Sequence, residues 1–342
     1  MKISACYIVK NEEKVIARSL ESVKDSVDEI IIVDTGSEDR TIEIAREFGA
    51  QIFSSPWNND FATPRNLAID HATGDWIVFL DADEFFTEET RQNIPQAIKF
   101  AIEDRKDAIL IPLFNIDVDD GNRIMDQILS LRIFRRLPNL RFKGRIHEQL
   151  TNLNKKKKLI DVAKISPEIL AIFHTGYSRK INQQKADRNL RLLVDEMFQS
   201  DTPEELFPYL AETYSGLGDY EKAERFGLLD IAFGRRGSTL ASKSYRVLIQ
   251  MLVDRDDHFI DRYAVTKLAV KNFPEIPEFH ADLGECYGAL GQIEKCIESL
   301  EQCLKVWAKY DPNKYIEQSN FSNESAQFVR ERIKFWKSKL QG

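Results

Sequence analysis

The stretch Gly74-Asp75-Trp76-Ile77-Val78-Phe79-Leu80-Asp81-Ala82-Asp83-Glu84 decides how this chain is read. Trp76 to Leu80 is an unbroken apolar run of strand length, as expected of a strand with both faces covered in a parallel sheet. It ends abruptly in acid. Asp81 and Asp83, one residue apart on an extended chain end, point to the same side and can jointly engage a divalent cation and its bound ligand. Mg²⁺ and Mn²⁺ prefer oxygen ligands and are commonly held by one or two carboxylates together with substrate phosphates, so a diphosphate-bearing substrate follows. Isolated acidic triplets also serve as polar loops capping the next helix, so the context of this one matters.

Upstream, strand and helix periods alternate. Ile3–Val9 reads as a buried strand, after which Asn11 is placed to cap a helix with Glu12 and Glu13 at its positive end and Val15, Ile16, Leu20 and Val23 along one face. A second strand, Glu29–Asp34, runs into a turn where Ser37 or Asp39 can cap a helix over Arg40–Phe48. A short strand over Gln51–Ser54, a Pro56-Trp57-Asn58-Asn59 loop and a helix over Phe61–His71 lead back to Trp76. This alternation predicts right-handed crossovers and a mostly parallel sheet, whose ligands bind beyond the carboxyl ends of the strands. Those ends carry Asn11-Glu12, Asp34 and Asp81 to Glu84. The turn after the first strand is not GxGxxG and no GxxxxGK motif occurs, which excludes a dinucleotide fold and a P-loop.

The length of 342 residues suits two domains, and 48 basic against 55 acidic residues leave a net charge of −7, which argues against general nucleic-acid binding. Cys6, Cys286, Cys296 and Cys303 form no CxxC pair, so a zinc ribbon is excluded and a reduced, cytoplasmic protein is expected. The first apolar run meets charge at Lys10, too soon for a signal-peptide core, and no run approaches about 18 apolar residues, so no membrane span is expected.

Taken together, Tyr7 to Glu13, Val33-Asp34-Thr35-Gly36-Ser37-Glu38-Asp39-Arg40-Thr41, the Gly74 to Glu84 stretch, Trp57 to Asn66 and Gly144-Arg145-Ile146-His147-Glu148 resemble the family 2 inverting glycosyltransferases of the GT-A fold. The likeness covers roughly residues 1–178. Within the family it is closest to bacterial members with a helical-repeat tail, including peptide S-glycosyltransferases that modify bacteriocins. The resemblance implies that Asp34 hydrogen-bonds the nucleobase of a UDP-sugar donor, with Asn11-Glu12 closing the same pocket. It also implies that Arg65 lies near the base or diphosphate, that Asp81 reaches the donor ribose or sugar, and that Asp83 ligates Mn²⁺ or Mg²⁺.

From Ala108 hairpins replace crossovers: a strand over Ala108–Val118, a turn at Asp119-Asp120-Gly121, and alternation over Leu129–Phe134. Inverting transfer needs a base for the acceptor proton. Glu148 is the candidate, with Asp126, Asp119 and Asp120 as fallbacks, and its competing reading is an ion pair with Arg132, Arg135 or Arg145. On a regular strand His147 would face away from Glu148. His174 ends an apolar strand starting at Ile169 and precedes a turn, and the resemblance suggests a metal ligand there. The run Lys155 to Lys158 reads as a solvated loop.

Beyond Asp201-Thr202-Pro203 strand signals stop. Leu210 to Ala223 and Leu283 to Cys296 match each other at an offset of two periods of the roughly 34-residue tetratricopeptide repeat, with Leu240–Phe273 between them. Ala211, Gly218, Gly284 and Gly291 are expected to allow close helix packing, Tyr214 and Tyr287 to fill matching slots, and the three later cysteines to sit in the core. A capping helix over Ser325–Leu340 is expected to turn Phe328, Ile333, Phe335 and Trp336 inward.

The resulting expectation is an α/β GT-A domain, a mixed sheet flanked by helices, over residues 1–200, followed by an all-α tetratricopeptide-like domain over residues 201–342. The expected function is metal-dependent inverting transfer from a UDP-sugar. A peptide or protein acceptor is favoured because such repeats bind peptides or form homodimers. The alternatives are a cell-surface saccharide or lipid-linked acceptor, or a non-catalytic scaffold that merely displays the repeats.

Overall fold

The computed structural model describes residues 1–153, 160–176, 179–234, 240–253, 255, 259–311, 314–315 and 319–341. The chain divides into two compact units, Met1–Ser200 and Asp201–Gly342.

The first unit opens with β1 (Ile3–Val9), α1 (Ile16–Val23), β2 (Glu29–Asp34), α2 (Thr41–Glu47), β3 (Gln51–Ser54), α3 (Ala62–His71) and β4 (Trp76–Phe79). β1 pairs in parallel with both β2 and β4, and β2 with β3, so the ends carrying Asn11, Asp34 and Asp81 lie on one edge of the sheet. Next come β5 (Glu84–Phe86), α4 (Ile94–Glu103), β6 (Ala108–Asp117), β7 (Arg123–Arg135), β8 (Leu140–Lys143), β9 (Gln149–Asn152), β10 (Val162–Lys164), β11 (Ile172–His174) and α5 (Arg179–Gln199). Among the described residues, nine strands form one mixed sheet ordered β3-β2-β1-β4-β7-β6-β11-β5, with β10 also on β6, while β8 and β9 form a separate pair.

Period-two alternation loads both faces of this sheet. Tyr7, Val9, Val78 and Leu80 join Ile16, Leu20 and Val23 of α1 and Ile94, Ile98 and Ala101 of α4 in one core. Cys6, Ile31, Val33, Ile77 and Phe79 join Ala68 and Ile69 of α3 in the other. With apolar packing on both sides, the sheet leaves its strand ends as the place where polar groups gather.

Three local readings need correction. Asn11 does not cap α1, which begins at Ile16; its backbone is left-handed (φ 57°), a conformation Asn tolerates, and its Oδ1 accepts from Glu38 N at 2.8 Å. The strand before His174 begins at Ile172, because Ile169 and Leu170 instead close a turn onto Ser166 O at 3.0 and 3.1 Å. Glu148 and His147 are not on a regular strand: Gly144 (φ 99°) and His147 (φ 50°) bend the chain between β8 and β9. Lys155 to Lys158 lie outside the described residues.

In the second unit, α6 (Phe207–Gly216), α7 (Tyr220–Phe233), α8 (Lys243–Val253), α9 (Phe259–Asn272), α10 (Pro277–Ala289), α11 (Ile293–Trp307) and α12 (Asn323–Gln341) follow one another. Tyr214 stacks on Phe226 at 5.7 Å, Tyr287 meets Tyr263 edge-on at 5.8 Å, and Cys286, Cys296 and Cys303 are buried. Gly284 packs closely as expected: a Cβ there would lie 2.8 Å from Leu300 Cγ. Gly218 and Gly291 do not; both have positive φ, 79° and 70°, with open space around them, and end helices rather than admit a neighbour. Phe328 and Phe335 also depart from expectation, since the face of α12 that packs inward carries Ala326, Val329, Ile333 and Trp336.

Candidate active site

The acidic end of β4 is gripped from two sides. Arg65, on α3 and 5% exposed, places Nη2 2.7 Å from Asp81 Oδ1 and pairs through Nε with Glu148 Oε1. Arg132 places Nη2 3.0 Å from Asp81 Oδ2 and 2.5 Å from Glu84 Oε1. Its reach comes from a β-bulge. Ile109 pairs with Ile133 and Leu110 with Leu131, so Arg132 is the extra residue of β7, and a bulge re-aims the side chain it carries. Burial works against the charge of Asp81, yet Arg65 and then Arg132 overrule it and hold the carboxyl well below the usual carboxylate range. For Glu84, 2% exposed, burial outweighs Arg132, and its carboxyl is pushed up.

Asp83 lies against His174. The β11 backbone sets His174 between Glu84 on β5 and Asn115 on β6. His174 Nδ1 lies 2.7 Å from Asn115 Oδ1, which as an acceptor calls for the proton on Nδ1, and Nε2 lies 3.3 Å from Asp83 Oδ2. With the Nδ1 proton directed at Asn115, only a second proton or a cation makes the contact between Nε2 and the carboxylate attractive. Burial disfavours the charged imidazole, but Asp83, with Glu84 and Asp81 behind it, raises its pKa above the ordinary histidine value. Thr175 ties this segment to the acidic turn through two bonds to Asp83 O, 3.0 Å from N and 3.1 Å from Oγ1. Gly176 completes the cradle: a Cβ there would lie 2.1 Å from Asp83 Oδ2 and 2.7 Å from His174 Nε2.

This arrangement fits a divalent cation. Asp83 and His174 offer an oxygen and a nitrogen, and their 3.3 Å spacing is close to the edge of an octahedron with bonds of about 2.1 Å, itself about 3 Å. Around them the carboxyl groups of Asp81, Asp83, Glu84 and Glu148 meet the guanidiniums of Arg65 and Arg132. Among the described residues no group of three or more His, Cys, Asp or Glu side chains is placed to hold a metal.

Along the same sheet edge, Asp34 Oδ1 accepts from Ser37 N at 3.0 Å and Glu12 N donates to Thr41 Oγ1 at 2.7 Å. Together with the Asn11 bonds, these contacts tie the turn after β1 to the turn after β2. Of the fallback bases, Asp119 and Asp120 sit in the exposed turn between β6 and β7, and Asp126 lies in register with Asn115 on β7. The partner of Glu148 is Arg65, not Arg132, Arg135 or Arg145. Arg132, Asn115 and Gly176 were missed as site residues, although an asparagine inside the apolar Ala108–Val118 run and an arginine inside Leu129–Phe134 were signals of buried polar pairing.

The family described as glycosyl transferase family 2 matches residues 4–162, and a tetratricopeptide repeat matches residues 277–306, across α10 and α11. A TPR repeat-containing protein of Synechococcus elongatus is 32% identical over 317 residues, covering 85% of this chain and 74% of that protein. The chain carries a glycosyl transferase family 2 domain. It is also similar to the SPbeta prophage-derived glycosyltransferase SunS of Bacillus subtilis, 32% identical over 211 residues, covering 60% of this chain and 47% of SunS. Among solved structures, S. aureus TarS 1-349 in complex with UDP-GlcNAc shares 16% identity and a TM-score of 0.42, over 90% of this chain and 92% of that one. This family 2 glycosyltransferase therefore joins a GT-A sheet to a tetratricopeptide region, and among its described residues no helix is long and apolar enough to cross a membrane.

Proposed function

We propose that this glycosyltransferase moves a sugar, with inversion, from a UDP-sugar to a nucleophilic side chain of a peptide or protein, with Mn²⁺ or Mg²⁺ bound. The observation that carries the reading is the convergence of Asp83 and His174 over Gly176, at the sheet edge that also bears Asp34 and Asn11-Glu12. Asp34 and the Asn11-Glu12 turn hold the base. Asp83 and His174 would hold the cation, which when bound supplies positive charge to the departing diphosphate. Arg65 Nη1 is buried without a hydrogen-bond partner, a donor suited to a phosphate oxygen. Asp81, fixed by Arg65 and Arg132, has lone pairs left to accept from a sugar or ribose hydroxyl.

Glu148 takes the acceptor proton. Arg65 occupies its Oε1, so the proton goes to Oε2 as the acceptor atom bonds to the anomeric carbon and the bond to the diphosphate oxygen breaks. The acceptor class rests on the helical repeats, since such stacks offer extended surfaces for peptides, and on the resemblance to peptide S-glycosyltransferases. UDP release from UDP-glucose, UDP-galactose and their N-acetyl forms, measured with and without Mn²⁺, tests the reading. Metal-dependent release from at least one donor is expected, and no release from any of them with Mn²⁺ present would overturn it.

A further inference from the structure

Only one face of α12 is explained by the stack. Ala326, Val329 and Ile333 are buried in it with Trp336 packed alongside, whereas Glu324, Phe328, Glu331, Phe335 and Lys339 recur at three- and four-residue steps along the opposite, exposed face. Phe328 is 60% exposed and Phe335 44%. Two exposed phenyl rings seven residues apart on one stripe form an apolar patch rather than scattered surface residues. The stripe is also ordered in advance. Arg332 is fixed by Glu285 through bonds of 2.8 and 2.5 Å and lies 5.1 Å over the Phe335 ring, while Lys339 lies 5.8 Å over the same ring.

We infer that this stripe is a self-association surface on which α12 packs antiparallel against α12 of a second copy of the chain. The charge pattern selects that occupant. A two-fold axis passing between Glu331 and Arg332 sets Phe328 opposite Phe335 of the second copy and Glu324 opposite its Lys339. Every apolar pair is then flanked by unlike charges. A parallel pairing would instead set Glu324 against Glu324 and Lys339 against Lys339. An anionic lipid surface is a poorer match, because Glu324 and Glu331 stand in the stripe and would be repelled.

Sedimentation of the full chain across the micromolar range tests the inference. The wild type is expected to be a dimer, and Phe328→Glu to weaken association by about tenfold or more with helix content unchanged. Lys339→Glu alone should weaken it, and Glu324→Lys combined with Lys339→Glu should restore it, a result independent of how Phe328→Glu folds. A monomer throughout the range, a dimer indifferent to Phe328→Glu, a double exchange no better than the single one, or a monomer that binds phosphatidylserine vesicles through Phe328 would each overturn the proposal.

Discussion

The two units use missing side chains for opposite ends. In the first, Gly176 leaves room for two polar atoms, Asp83 Oδ2 and His174 Nε2; in the second, Gly284, Gly288 and Gly227 leave room for Leu300, Trp336 and Leu248. Their charges differ in the same way. Arg65, Glu84 and Arg132 are buried or largely so and pair at the strand ends, while no pair of the helical stack among the described residues is as buried: Arg246 with Glu278 and Arg332 with Glu285 are half-buried, and Lys222 with Asp219 and Lys337 with Glu301 stand in water. Buried ion pairs give little net stability but are severely destabilising to break from one side, so a chain that keeps them spends stability on arrangement. Arrangement of charge is what sugar transfer needs. The stack needs only packing.

The largest effect that sharpens this contrast comes from Arg132→Met. It leaves Asp81 and Glu84 without a shared guanidinium, and unfolding of the first unit in denaturant should show a loss of about 3–5 kcal/mol. An exposed pair such as Lys337 with Glu301, cut in the same way, should register less than about 1 kcal/mol. Next, Glu148→Gln should lower kcat by about 10²-fold with UDP affinity unchanged, as steady-state kinetics beside calorimetry will show. A matching loss of UDP affinity would assign Glu148 to holding Arg65 instead.

Exchanging the glycines divides activity from stability. Gly176→Ala should displace Asp83 and His174 and lower turnover by about 10²-fold with little change in melting temperature. Gly284→Ala should overpack Leu300 and destabilise by about 1–3 kcal/mol while leaving kcat per folded molecule intact. If both changed only stability, the cradle would be ordinary packing.

The last effect concerns pH. Burial opposes the charge of Glu29, but bonds from Ser4 and from Thr73 outweigh it and hold its carboxyl down at about 2. The folded chain therefore binds fewer protons than the unfolded one between that value and the ordinary carboxylate range. The stabilisation is complete above that range and is lost as pH falls towards 2, amounting to about 2 kcal/mol once the exposure of its Lys2 and Thr73 partners is allowed for. Glu29→Gln should flatten the acid limb of a stability profile by that amount.

Much of the first unit was legible because strand ends are written in plain contrast, Trp76 to Leu80 apolar and Asp81 to Glu84 acidic, with Asp34 and Asn11 after similar runs. Periodicity does not show which residue a bulge expels, so Arg132 read as one more strand position. Nor could spacing reveal that Glu148 meets an arginine more than eighty positions away, or that Gly176 is glycine because Asp83 stands over it. In the second unit the repeat offset located the helices, but an aromatic at a helical step does not declare its face. Phe328 and Phe335 looked like core until the phase of Ala326, Val329 and Ile333 was fixed by packing.

The central claim is that Asp83 and His174 await a cation brought together with a nucleotide diphosphate. Calorimetric titration of UDP into the full chain, with and without Mn²⁺, and again with Asp83→Asn, tests it most directly. UDP should bind at least about tenfold tighter with Mn²⁺, a difference of about 1.4 kcal/mol, and that gain should vanish in the variant. Equal UDP affinity with and without Mn²⁺ in the wild type would contradict the account.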